Sequence, residues 1–123
     1  MTNAVILLAA VLYAEAAGEP WAGKHAVASV MWHEAQMGRR DVLAVALNPR
    51  RYHGARRRNI IISGHADRQA WLECRDLAQQ MLDNTFAPSG SWTHYYRPTG
   101  HDPAWTAQLR HPVRIGRHVF GRL

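Results

Sequence analysis

The chain has 123 residues, 47% of them hydrophobic and 20% charged, a size and balance that suit one folded domain and exclude a disordered chain. Fifteen Lys and Arg against nine Asp and Glu leave a net charge of +6. That sign favours polyanionic surroundings (nucleic acid, anionic lipid or bacterial envelope polymers) without choosing among them. The one cysteine, Cys74, excludes an internal disulfide.

Residues 3–17 are rich in Ala and Leu and apolar on most sides, which predicts a buried helix stopped near Gly18. The uncharged run from Ala4 to Ala14 is shorter than the roughly 20 residues a membrane span needs. The opening Met-Thr-Asn lacks the basic n-region of a signal peptide. Pro20 suits the first turn of a second helix, with Glu19 at or beside its N-cap. This helix is expected to run to about Met37, with Val27, Val30, Met31 and Glu34 on one face and Gly38 ending it.

Asp41 is placed to cap a short helix, Val42 to Leu47, closed by Asn48-Pro49. Residues 50–59 read as a basic polar loop, and Ile60-Ile61-Ile62 is too short a run to assign. The third main helix spans about Asp67 to Asp83, with Ala70, Cys74, Leu77, Ala78 and Met81 at helical spacing. After Pro88 the pattern turns aromatic and β-prone. Trp92–Tyr96 and Gly116–Phe120 read as two strands pairing across a loop that holds Pro98, Gly100, Pro103 and Pro112. The expected fold class is α+β, mainly α: one domain over residues 1–123, with a small antiparallel β element near the C-terminus.

The chemistry centres on Tyr13-Ala14-Glu15-Ala16-Ala17-Gly18-Glu19-Pro20, which presents an acid at the end of the apolar run. A low-dielectric site disfavours the ionised form, and a helix C-terminus is unfavourable for negative charge. Glu15 is therefore expected either to have a cation close by or to stay protonated. A retained proton is what a general acid needs to cleave a glycosidic bond. A purely structural acid at a helix end stands as the plainer alternative.

Candidates for a second carboxylate are Glu19, Glu34, Asp41 and Asp102. The plainer roles are capping for Glu19 and pairing with an arginine such as Arg39 for Glu34. No carboxylate pair stands out, which favours one-acid chemistry over the two carboxylates of a hydrolase. In a strand, Thr93 and Tyr95 point one way and Trp92, His94 and Tyr96 the other, so one set is expected to face a cleft and the other the core. His94 and Tyr95 are the leading sugar contacts, followed by Tyr52 and Trp21; the plainer role of Trp21 is packing. Trp32, Trp71, Trp105 and Phe120 are expected in or beside the core.

No metal or cofactor is expected. His33-Glu34-Ala35-Gln36-Met37 begins like a zinc helix but lacks the second His. His94 and His118 lack a third ligand, and His118 is expected to hydrogen-bond near the cleft or support the acid. The Arg50–Arg58 run reads first as a solvated or envelope-attracted loop; the alternative is a non-enzymatic basic protein that binds nucleic acid through these interleaved basic and aromatic residues, although no recognition signature accompanies them.

The chain resembles the catalytic domain of the SleB-type cell wall hydrolases, known from spore cortex-lytic enzymes and some phage endolysins. The resemblance rests on the Tyr13–Pro20 segment, on Gly23-Lys24-His25-Ala26-Val27-Ala28-Ser29-Val30, and on Thr93-His94-Tyr95-Tyr96. Pro103-Ala104-Trp105 and Ile115-Gly116-Arg117-His118-Val119-Phe120 follow in family order. It implies a compact, lysozyme-like helical domain that cuts peptidoglycan glycan strands by lytic transglycosylation. Glu15 would be the catalytic acid; the substrate contacts expected from the residues themselves are Glu19, Tyr52, Thr93, His94, Tyr95 and His118. Two positions depart from the family pattern: His33-Glu34 stands where Asn-Arg is common, and Arg51-Tyr52 where Gln-Phe is common. The further expectation is a monomeric phage endolysin that accumulates in the host cytoplasm and then acts on the cell wall.

Overall fold

The computed structural model describes residues 3–56 and 67–123. Among these, four helices and a three-stranded sheet are formed. The helices are α1 (Asn3–Ala16), α2 (Trp21–Gly38), α3 (Val42–Ala46) and α4 (Arg68–Leu82). The strands are β1 (His94–Tyr96), β2 (Arg110–Ile115) and β3 (His118–Arg122), and 3-10 turns occupy His53–Ala55 and Ala104–Gln108. The Ile60–Ile62 run lies outside the described residues.

Helix α1 is the hub, because it carries no charge before Glu15 and can be buried on most sides, with Ile6 and Ala14 left exposed. Leu8, Ala9, Val11 and Leu12 are fully enclosed, and α2, α3, α4 and the His53–Ala55 turn all pack against it. Each such leucine contributes roughly 1.5–3 kcal/mol by leaving water. Helix α4 starts where expected, with the Asp67 side chain accepting the Ala70 N–H at 3.0 Å. It buries the expected stripe of Ala70, Cys74, Leu77, Ala78 and Met81. Asp41 caps α3 in the same way, accepting the Leu43 N–H at 2.8 Å.

Two helix ends differ from the sequence reading. The N-cap of α2 is Pro20, with Glu19 beside it as expected, but the Glu19 side chain turns inward instead of capping the helix. At the other end Gly38 is the last helical residue, and Arg39 takes the left-handed conformation (φ 50°), its N–H reaching the Ala35 and Gln36 carbonyls. Among the described residues no helix is long and apolar enough to cross a membrane.

The sheet has the order β1-β3-β2, antiparallel throughout. The expected pairing of the two aromatic segments is present, with Tyr95 opposite Phe120. Residues 110–115, read as loop because of Pro112, form a third strand. Pro112 falls within an irregularity of the register between Arg110 and Val113, on the edge strand, a position where the missing N–H costs no ladder bond. Phe120 seals the sheet against the helices, fully buried, with Trp92 at 5.2 Å and Tyr95 at 5.5 Å between ring centres. Trp92 thus joins the core on the same side as Tyr95, because strand alternation begins only at His94.

Candidate active site

A cleft of about 830 Å³ lies between the C-terminal end of α1, the segment 50–53 and the sheet. Its lining includes Glu15, Tyr52, His94, Tyr95, Trp105 and His118. Glu15 is half-buried and takes two hydrogen bonds from distant parts of the chain. The backbone N–H of Gly54 donates to Oε2 at 2.8 Å, and the Tyr95 hydroxyl donates to Oε1. The acid's setting therefore differs from the sequence expectation. The apolar run lies behind it in the core, while its carboxylate meets two polar donors rather than a cation or a bare apolar wall.

Gly54 makes this possible by having no side chain. A Cβ there would stand 2.7 Å from the Val11 carbonyl oxygen, 3.0 Å from the Ala14 Cβ and 3.3 Å from the Glu15 Cγ. The turn lies directly on α1, so its N–H reaches the acid. The described part of the basic run is thus a wall of the cleft rather than a solvated loop: Tyr52 and Gly54 are buried, and Arg51 crosses to Glu34 at 2.6 Å. Arg51, not Arg39, is the partner of Glu34. Arg51 also donates to the Thr93 carbonyl at 3.0 Å, tying the turn to the sheet.

Tyr95 is a permanent proton donor. Burial, reinforced by the Glu15 charge and the hydrogen bond to it, pushes its phenol well above the usual value of 10. Behind it, His118 packs edge-on against its ring at 5.3 Å and places Nδ1 3.2 Å from Glu19 Oε1. Burial holds His118 below its ordinary value despite the neighbouring Glu19. Glu19 is buried (4% exposed) and accepts from the Arg117 N–H at 2.7 Å and Nε at 2.9 Å. Burial would raise its pKa, but the two Arg117 bonds and the His118 and Arg117 charges overcome that and hold it below the usual carboxylate range. Glycines at 18 and 116 leave the space that Arg117 and Glu19 fill, and Gly116 also has φ +61°, a conformation glycine adopts without strain.

Of the expected substrate residues, Tyr52, His94, Tyr95 and His118 line the cleft with Glu15. Glu19 and Thr93 are not among its lining residues. Glu19 stands behind His118 as an anchor. Thr93 Oγ1 accepts the Leu123 N–H at 2.9 Å, so it fastens the C-terminus. Trp21 stacks on His25 at 5.9 Å, away from the cleft. Tyr52 is 1% exposed, and its hydroxyl has no hydrogen-bond partner among the described residues.

Two residues of the site, Gly54 and Trp105, were missed by the sequence reading, whereas Asp102 was already a candidate carboxylate. The Gly54 N–H leaves no trace in residue type. Trp105 was assigned to the core or its margin, yet it lines the cleft with His94 at 5.3 Å and Tyr96 at 5.8 Å. Asp102 also lines the cleft, exposed and accepting the Thr99 N–H at 2.9 Å. Glu34 faces a neighbouring cavity. Among the described residues no three His, Cys, Asp or Glu side chains converge as a metal ion would require.

The sequence pattern of the cell wall hydrolase family matches residues 18–121, beginning just after Glu15. A spore cortex-lytic enzyme of Oceanobacillus iheyensis is 33% identical over 121 residues, covering 96% of this chain and 41% of the relative. That of Bacillus subtilis is 29% identical, covering 96% and 37%. The chain thus spans less than half the length of these relatives. The catalytic domain of the germination-specific lytic transglycosylase SleB from Bacillus anthracis has the same fold. Its TM-score is 0.75 at 22% identity, covering 99% of this chain and 96% of that one.

Proposed function

The chain belongs to the cell wall hydrolase family, and from that premise we propose that it cleaves peptidoglycan glycan strands by lytic transglycosylation, with Glu15 as single acid and base. The observation that carries the proposal is the doubly held Glu15 carboxylate at the edge of an aromatic cleft. Protonated Glu15 gives its proton to the oxygen bridging N-acetylmuramic acid and N-acetylglucosamine, and the C1–O bond breaks. The muramyl C6 hydroxyl then attacks C1 and returns its proton to the carboxylate, closing a 1,6-anhydro ring without consuming water. The Gly54 N–H and Tyr95 hydroxyl stabilise the anion between these two transfers, the role fixed donors play wherever charge develops. Trp105, Tyr96 and His94 offer ring faces for the sugars.

The names of the relatives support this reading, as spore cortex-lytic enzymes and a lytic transglycosylase. One observation favours a second reading: Asp102 lines the same cleft, so a two-carboxylate hydrolase would draw on it before Glu34, which Arg51 neutralises. Mass spectrometry of muropeptides released from purified sacculi separates the two. Products with 1,6-anhydro-muramic ends are expected; reducing ends would establish hydrolysis. A folded Glu15→Gln variant with full activity would refute both.

The setting proposed for this chemistry is phage lysis, supported by the resemblance to endolysins. Produced in a bacterial cytoplasm, the chain should lyse cells only after a holin opens the inner membrane, and lysis without one would contradict the proposal.

A further inference from the structure

Arg51 and His94 are shared between the catalytic cleft and a second cavity of about 650 Å³ on their far side. The chemistry of this neighbour is different. Three guanidinium groups line it (Arg40, Arg51 and Arg122), together with His33 and one carboxylate, Glu34. Arg51 already neutralises that carboxylate at 2.6 Å, leaving the cavity cationic. No Trp, Tyr or Phe lines it, and of the ring faces assigned to the sugars only the shared His94 reaches it.

Two of the three cations are positioned in advance. Arg122 Nη1 donates to the carbonyl and the hydroxyl of Ser91 at 2.7 and 2.9 Å. Arg51 is held between Glu34 and the Thr93 carbonyl. Guanidinium groups fixed before a ligand arrives lose little freedom on binding, and their planar donor fork matches a carboxylate. Met37, 74% exposed, lines the cavity as well and offers an apolar contact for small aliphatic side chains.

Resting on the glycan-strand reading above, we propose that this second cavity is a carboxylate subsite. It takes the peptide stem of a muramyl residue whose sugar lies in the catalytic cleft. Arg40 and Arg122 bind the stem carboxylates, and Arg51 forms the wall between sugar and peptide. A strand crossing that wall presents stacking faces on one side and anionic peptide on the other, which is how the side chains divide.

The test uses binding, so that it does not depend on turnover. Glycan strands with intact, uncrosslinked stems, and the same strands after an amidase has removed the stems and the lactyl carboxylates it exposes have been capped as methyl amides, are titrated against the Glu15→Gln protein. Stem-bearing strands should bind at least ~10-fold more tightly, the size of one charge-assisted hydrogen bond. Adding Arg40→Gln and Arg122→Gln should bring the ratio close to one. Arg122→Lys, which keeps the charge but loses the fork, should give an intermediate ratio. Arg40→Gln alone, at an exposed side chain, checks the result independently of the Ser91 anchor. Equal binding of the two strand types, or a ratio unchanged by the Arg40 and Arg122 substitutions, would overturn the proposal. A clear preference for stems in a protein whose unsubstituted form cuts neither strand would leave the subsite standing and remove the catalytic assignment instead.

Discussion

Gly54→Ala places a single methyl group between the acid and the turn that holds it. The new Cβ would meet the Val11 carbonyl oxygen at 2.7 Å, against roughly 3.3 Å for an ordinary close C···O contact. The obstacle is helix backbone in the middle of the core, so it cannot move aside. The turn must therefore retreat by roughly half an ångström, and overpacking of this kind costs about 1–3 kcal/mol. The same retreat stretches the 2.8 Å Gly54 N–H to Glu15 Oε2 bond beyond useful length. A hydrogen bond to a charged group contributes about 1.5–3 kcal/mol, which corresponds to a rate loss between roughly 10- and 100-fold. Denaturant unfolding reads the first effect, and the rate of muropeptide release reads the second. Wild-type stability together with wild-type rate would refute the close approach. Lost stability with an unchanged rate would keep the steric argument and refute the role assigned to the N–H.

Three further substitutions test other parts of the site. Tyr95→Phe removes the second donor to Glu15 while keeping the ring between His118 and Phe120; kcat is expected to fall roughly 10- to 100-fold, and a fall confined to KM would count against the assignment. Tyr52→Phe deletes a buried hydroxyl with no hydrogen-bond partner among the described residues, so stability should rise, by about 1 kcal/mol from the lower end of the penalty for an unsatisfied group; a drop in thermal midpoint would show that the hydroxyl is satisfied, with Glu34 the partner its electrostatics point to. The Glu19 carboxyl is held below its ordinary value in the folded state, so its contribution is complete above the unfolded value of about 4.5 and is lost as pH falls through the lower folded value. Glu19→Gln should therefore lower stability at pH 7 and flatten the loss below pH ~4.5; an acid limb as steep as that of the wild type would exclude Glu19 as its source.

The behaviour of Glu19 shows where sequence reading stopped. Its place beside Pro20 suggested a helix cap, a role decided within a few residues. Its actual partners, Arg117 and His118, lie 98 and 99 residues further along, and no local pattern connects them. Glu34 was matched to Arg39 by proximity in the chain, but Arg51 reaches it because the turn that follows α3 folds back over α2. Thr93 carried a strand residue's expected orientation, yet its hydroxyl is committed to the last residue of the chain.

What could be read along the chain was whatever depends on near neighbours. The α4 stripe from Ala70 to Met81 follows from helical periodicity, and the Asp41 and Asp67 caps from a side chain reaching two or three residues ahead. The apolar character of α1 and the β-forming character of the two aromatic segments were legible for the same reason: hydrophobic pattern and residue type are properties of a segment. The two donors on Glu15, the close approach that makes Gly54 necessary and the division into an aromatic cleft and a cationic cavity were not. Each joins groups from segments far apart in the chain, and their contacts exist only once burial of α1 brings the 50–56 turn and the sheet together around it.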